Sequence, residues 1–158
     1  MNRHQLISAI IEPTLILMGD KFDSRAAQKL LLYTCTVESD LGHYVRQYPS
    51  GPARGIYQME RRTYFDLFDN FLSYKPDLLK NLLRVSAYDI EPDADALMWD
   101  MRLATVMARL QYYRWPAAMP DEDDEEGLIN YYLKYWGPNP KHATLESVRK
   151  KIAQTLGD

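Results

Sequence analysis

The sequence predicts an all-α protein, or α+β with minimal β: seven or eight helices packed around one central helix. Apolar residues recur at spacings of three and four through one stretch after another, while period-two alternation is almost absent. Capping residues, prolines and glycines punctuate these stretches at helix-length intervals. At 158 residues, with no internal repeat and no shift in composition, the chain reads as a single domain, 1–158, large enough to bury a real core.

The first helix covers residues 3–18, with Leu6, Ile7, Ile10, Ile11, Thr14, Leu15 and Met18 on its apolar face. Pro13 has no N–H and crowds the preceding turn, so it should kink or restart this helix; Gly19 supplies a stop. A second helix starts near Asp23 or Ser24, both good N-caps, and its stripe runs Ala27, Leu30, Leu31, Thr34, Cys35, Glu38 and Leu41. After Gly42 the run HYVRQYPSGPARG is turn-rich and long enough to wrap one side of a cleft. Helix returns from Thr63 to Tyr74, with Thr63 and Asp66 as a capping box. Pro76 opens the next helix, and residues 86–92 form a linker ending in Pro92.

From Asp93 to about Arg114 the spacing predicts the central helix, with Leu97, Met101, Ala104, Met107, Ala108, Leu110 and Gln111 on one face. The acidic run at 121–126 is a hydrated loop; it lacks the alternation and the turn glycine of a calcium site. A helix over about 126–136 carries Tyr131, Tyr132, Tyr135 and Trp136, and Gly137-Pro138-Asn139-Pro140 stops it. Thr144 caps a last helix through Leu145, Val148, Ile152 and Leu156.

Several function classes fall away. A net charge of −3 gives no electrostatic grip on nucleic acid. No run of about 18 apolar residues exists, so membrane insertion is not expected. Glu12 and Pro13 interrupt the apolar N-terminal runs and no small-residue cleavage site follows, so no signal peptide is expected either. Cys35 has no disulfide partner and lies in an apolar stripe, where a buried inert thiol is expected. His4, His43 and His142 show no metal-ligand spacing, and neither a phosphate-cradling glycine loop nor a nucleophile elbow is present. No metal or cofactor is expected.

What remains is a carboxylate. Glu38 falls on the apolar stripe of its helix, and the residues allow two readings of it. Either the helix frays and Glu38 reaches solvent, or the carboxyl faces the core, where its pKa rises toward the value a general acid needs.

Glu38-Ser39, a turn-rich gap and then Gly51-Pro52-Ala53-Arg54-Gly55-Ile56-Tyr57-Gln58-Met59 resemble the pattern of lytic transglycosylases and goose-type lysozymes. In that family a Glu-Ser pair precedes a small-residue turn and a Gly-Leu-Met-Gln run. Ala53 and Thr63 match family positions, and Tyr135-Trp136-Gly137-Pro138 is similar to the Tyr-Asn-Ala-Gly-Pro segment that lines the family's groove. The resemblance touches about two thirds of the chain, and only 38–59 is specific. Ile56 and Tyr57 replace Leu and Met, Glu60 and Arg61 occupy a region where proline is usual, and Trp136 replaces Asn.

The resemblance implies a lysozyme-like fold and a muramidase that cuts the MurNAc-GlcNAc β-1,4 bond of peptidoglycan glycan strands. Glu38 would protonate the leaving oxygen, then act as base on the muramyl 6-hydroxyl or on water. Ser39, Tyr57, Gln58 and Tyr135 would contact substrate, and Glu60 is the one candidate second acid within the motif. Asp40 points off the opposite helical face, and with no clear second carboxylate the one-acid, anhydro-forming route is favoured. The size and the flavour of the motif resemble phage-encoded members. The protein would then be made in the host cytoplasm and act on the cell wall, in lysis or within a virion beside other virion proteins. The alternative is a non-catalytic phage structural or interaction protein that retains the fold.

Overall fold

The computed structural model describes residues 1–137 and 143–157. Among them are seven helices and one small two-stranded sheet. Helix α1 begins as Arg3–Gln5, widens into a π-helical stretch at Leu6–Ile11 and continues α-helical over Glu12–Met18. The expected restart at Pro13 takes this form: the α-helix resumes at Glu12 with Pro13 in its first turn, and the Glu12 N–H reaches back to the Ile7 carbonyl. Gly19 ends the helix at a φ of 113°.

Helix α2 spans Arg25–Ser39, and the Ser24 hydroxyl caps it by accepting from the Ala27 N–H at 3.0 Å. It stops two residues short of the expected Leu41, because Asp40 and Leu41 both take left-handed backbone (φ 55° and 56°). Strands β1 (Ala53–Arg54) and β2 (Met59–Glu60) pair antiparallel, Ala53 opposite Glu60 and Arg54 opposite Met59. Gly55 joins them at a φ of +78°, and a Cβ there would come within 2.4 Å of the Leu97 carbonyl oxygen, so only glycine fits. Arg54 Nε and Arg61 Nη1 both donate to Asp95 Oδ1, at 3.1 and 3.0 Å, which ties the hairpin to the same stretch.

Helix α3 spans Arg61–Asn70, with Glu60 at the N-cap position, so Thr63 lies inside the helix and the expected capping box does not form. Asp66 instead accepts from Arg114 Nη1 at 2.6 Å. A 3₁₀ turn at Leu72–Tyr74 leads into α4, Pro76–Ser86, which opens on Pro76 as expected.

The helix expected over 93–114 divides in two. Asp93 caps a 3₁₀ helix, Ala94–Met98, and Asp100 caps α5, Met101–Tyr113, by accepting from the Leu103 N–H at 2.9 Å. The second oxygen of Asp100 accepts from the Tyr88 hydroxyl at 2.8 Å, and this tertiary bond fixes the break. Helix α5 is the central element: every residue from Leu103 to Tyr112 is buried, and α1, α2, α3 and α4 all pack on it.

Helix α6 covers Glu125–Tyr135 behind an Asp124 cap, and α7 covers Leu145–Leu156 behind a Thr144–Ser147 capping box. Helix α7 packs on α2 and α6. Its Lys151 and Thr155 bond Asp40 at 2.7 and 3.1 Å, which places that carboxylate on the far side of α2, away from any role beside Glu38. Pro138, Asn139, Pro140 and His142 lie outside the described residues.

Candidate active site

A cleft of about 500 Å³ opens at the C-terminal end of α2. Helix α2 contributes Glu38, the loop after it Tyr44, Gln47 and Tyr48, the hairpin Gln58 and Glu60, and the end of α6 Trp136. The stripe that buries Leu30, Leu31, Thr34 and Cys35 delivers Glu38 one step later, where the core gives way to the cleft. The structure falls between the two readings of this residue: the helix holds through Ser39, and Glu38 is half-buried in the cleft wall. Glu38 Oε1 accepts from the Tyr132 hydroxyl at 2.6 Å. Burial pushes its pKa up to about 7, the Tyr132 bond pulls against that rise, and the charge of Glu60 adds to it.

Glu60 is the other carboxylate on the cleft wall, and it pairs with Arg62 Nε at 2.8 Å. Gln58 also lines the cleft, from a left-handed backbone (φ 49°) at the end of the tight turn begun by Gly55. Its Nε2 and its N–H both donate to the Gly55 carbonyl, at 2.8 and 3.0 Å, so the side chain shapes the turn as well as the wall.

Three expected substrate contacts are placed elsewhere. Ser39 is fully buried: its hydroxyl donates to the Cys35 and Ile56 carbonyls and accepts from the Gly42 N–H, so it staples the end of α2 to the hairpin loop. Tyr57 is 1% exposed, and its hydroxyl meets Thr105 Oγ1 of α5 at 3.0 Å; it is a core anchor for the hairpin. Tyr135 stacks with Tyr131 and Trp115, at ring-centroid distances of 4.6 and 5.7 Å, and does not line the cleft. The reason is helical phase. Tyr132 and Trp136 share the stripe that faces Glu38, while Tyr131 and Tyr135 share the next one, about 100° around.

Sequence reasoning saw Tyr132 only as part of an aromatic cluster and missed its hydrogen bond to Glu38. The i, i+4 pairing of Tyr132 with Trp136 is the signal that marks it. Tyr44, Gln47 and Tyr48 were missed as individual wall residues, since loop residues carry no periodicity. Cys35 is buried as expected, and burial pushes its thiol up to about 11, which leaves it unreactive.

Among the described residues no group of three or more His, Cys, Asp or Glu side chains comes together to hold a metal ion. No helix is long and apolar enough to cross a membrane among the same residues. Comparison of the chain with protein-family models, with curated proteins and with solved structures finds no match in any of the three.

The chemistry available is that of one carboxyl near half-protonation at neutral pH, in a cleft walled by aromatic rings and amides. It can give a proton to a basic oxygen of a bound ligand and take one back.

Proposed function

We propose that the protein is a peptidoglycan-cleaving muramidase of lysozyme-like fold, acting as a lytic transglycosylase with Glu38 as its single acid and base. The observation that carries this reading is the Glu38 carboxyl itself, held by Tyr132 in the cleft with a pKa raised to about 7 by burial. A carboxyl so poised protonates the leaving glycosidic oxygen while still acidic, and as a carboxylate then accepts the proton of the muramyl 6-hydroxyl. Exposed Tyr44 and Tyr48 and half-buried Gln58 suit a sugar chain, which stacks on flat rings and bonds to amides. The phage setting, in a virion or in lysis, belongs to the same proposal and rests on the motif resemblance.

Glu60 separates the two chemical routes. Hydrolysis with inversion needs a second carboxylate as base for water, whereas anhydro-product formation does not. The test is incubation of purified protein with peptidoglycan and analysis of released muropeptides, beside Glu38→Gln and Glu60→Gln. We expect anhydromuropeptides from the wild type and from Glu60→Gln, and none from Glu38→Gln. Reducing ends that vanish in Glu60→Gln would replace transglycosylation by hydrolysis. Absence of release from every wall chemotype would remove the enzymatic reading and leave a non-catalytic structural protein.

A further inference from the structure

A second cavity, of about 480 Å³, lies between the C-terminal end of α5, the 115–119 strap, Phe71 and Lys75 before α4, and Lys21 after α1. Among the described residues four cations line it, Lys21, Lys75, Arg109 and Arg114, and no carboxylate does. In a chain of net charge −3 this is a local concentration of positive potential.

Arg109 is its unusual member. The residue is only 7% exposed, and its Nε donates to the Phe22 carbonyl at 2.8 Å. The guanidinium carbon lies 5.9 Å from the Phe22 ring centroid and 5.8 Å from that of Tyr113, which fixes the plane of the group. Among the described residues no carboxylate pairs with it, and no group accepts from its two terminal nitrogens. Those nitrogens are not sealed in the core: the one buried side-chain polar atom without a partner among the described residues is Gln111 Oε1. They open onto the cavity that Arg109 lines. Arg114, by contrast, is already bound to Asp66.

The terminal nitrogens face the cavity, where an anion would supply the acceptors and the counter-charge that the neighbouring protein groups do not. The fork of two parallel donors fits a carboxylate or phosphate oxygen pair. Lys21 and Lys75 are both exposed and stand at the cavity without ion pairs to the described residues, ready to share such a group. Around them Phe71, Tyr113, Trp115 and Tyr131 supply apolar wall.

We propose that this cavity is a binding site for a small organic anion, a carboxylate or phosphate group carried on a flat apolar body. The site is independent of the Glu38 cleft and of the activity assigned to it.

The test is titration of the whole protein with phenyl phosphate, benzoate and uncharged benzyl alcohol, followed by NMR at the Trp115 indole and the Arg109 Nε–H. We expect saturable shifts with at least one of the two anions and none with the alcohol. Stronger binding of phenyl phosphate assigns a phosphate ester, stronger binding of benzoate a carboxylate, and equal binding the shared anion chemistry. Lys21→Ala with Lys75→Ala, both on the surface, should weaken the anion roughly tenfold without disturbing the fold. Arg109→Lys, which keeps the charge and loses the fork, should weaken it as well. The proposal is overturned if neither anion binds saturably, if benzyl alcohol shifts the same resonances as strongly, or if the double lysine variant binds like the wild type.

Discussion

Glu38 and Arg109 are two charges set into the same helical core, and the protein treats them differently. Each faces a cavity, each is positioned by one hydrogen bond, and burial disfavours the charged form of each. The carboxyl answers by holding its proton until about pH 7. The guanidinium is also pulled down, but from a value so far above neutrality that it remains a cation. Burial makes a switch of an acid and a fixed charge of an arginine. The first suits proton transfer, the second suits the holding of an anion.

The sharpest way to break the contrast is to remove the switch. Glu38→Gln should lower muropeptide release by about 10²–10⁴-fold. In the wild type, release should fall as pH rises above about 7, where the acid form of Glu38 is depleted. Activity that continues to climb through pH 9 would show that the acid lies elsewhere.

The next effect is on stability, and its sign is opposite. The Glu38 pKa is raised from its ordinary 4.5 to about 7, so between those values the folded state binds more protons than the unfolded chain. Its contribution therefore worsens as pH rises through that window and stays at its worst above it. The shift corresponds to about 3 kcal/mol at most. Glu38→Gln should unfold at the same temperature as the wild type at pH 4 and at a higher one at pH 8, as followed by thermal melts. Equal stability at pH 8 would mean that the carboxyl is solvated.

Arg109→Met provides the comparison from the other side. It leaves the Phe22 carbonyl without its donor, a loss of about 1–3 kcal/mol, and that loss should be the same at pH 5 and pH 9 because the arginine does not titrate. A pH-dependent difference in denaturant midpoints would contradict the fixed-charge description. The smallest effects are a pair of opposed shifts. Tyr132→Phe removes a bond that lowers the Glu38 pKa, so the alkaline limb of activity should move upward. Glu60→Gln removes a charge that raises it, so the limb should move downward. Movement of both in one direction would show that one of the two residues does not act on Glu38 in this way.

The same pair of residues shows what sequence carries and what it hides. Glu38 was legible because a carboxylate on a stripe of Leu30, Leu31, Thr34 and Cys35 breaks a pattern. Arg109 was not, since a charged residue beside Met107, Ala108 and Leu110 is read by default as the solvated side. Its burial depends on the Phe22 carbonyl and the Tyr113 ring, which no local pattern contains. Most helix starts followed their caps, as at Ser24, Pro76 and Thr144. The break at Asp100 did not show, because Tyr88 reinforces it through a tertiary hydrogen bond. Tyr135, expected at the cleft, and Trp136, which lines it, differ by one residue, and on a helix one residue is a different face.

The hairpin beside Glu38 carries a mechanical consequence. At Gly55 its backbone rests on the backbone of Leu97 with no room for a methyl group between them. A contact of that kind is a hard stop, as unyielding as any packing repulsion, and Arg54, Arg61 and Tyr57 fasten the same wall to the 3₁₀ stretch and to α5. The wall holding Gln58 and Glu60 therefore behaves as an anvil. The segment carrying Tyr44 and Tyr48 is bonded to the same wall, Gln47 N–H to the Ala53 carbonyl at 3.1 Å and Gly55 N–H to the Val45 carbonyl at 2.8 Å. Any change in the width of the cleft as a ligand enters must come from the side of Trp136, at the end of α6.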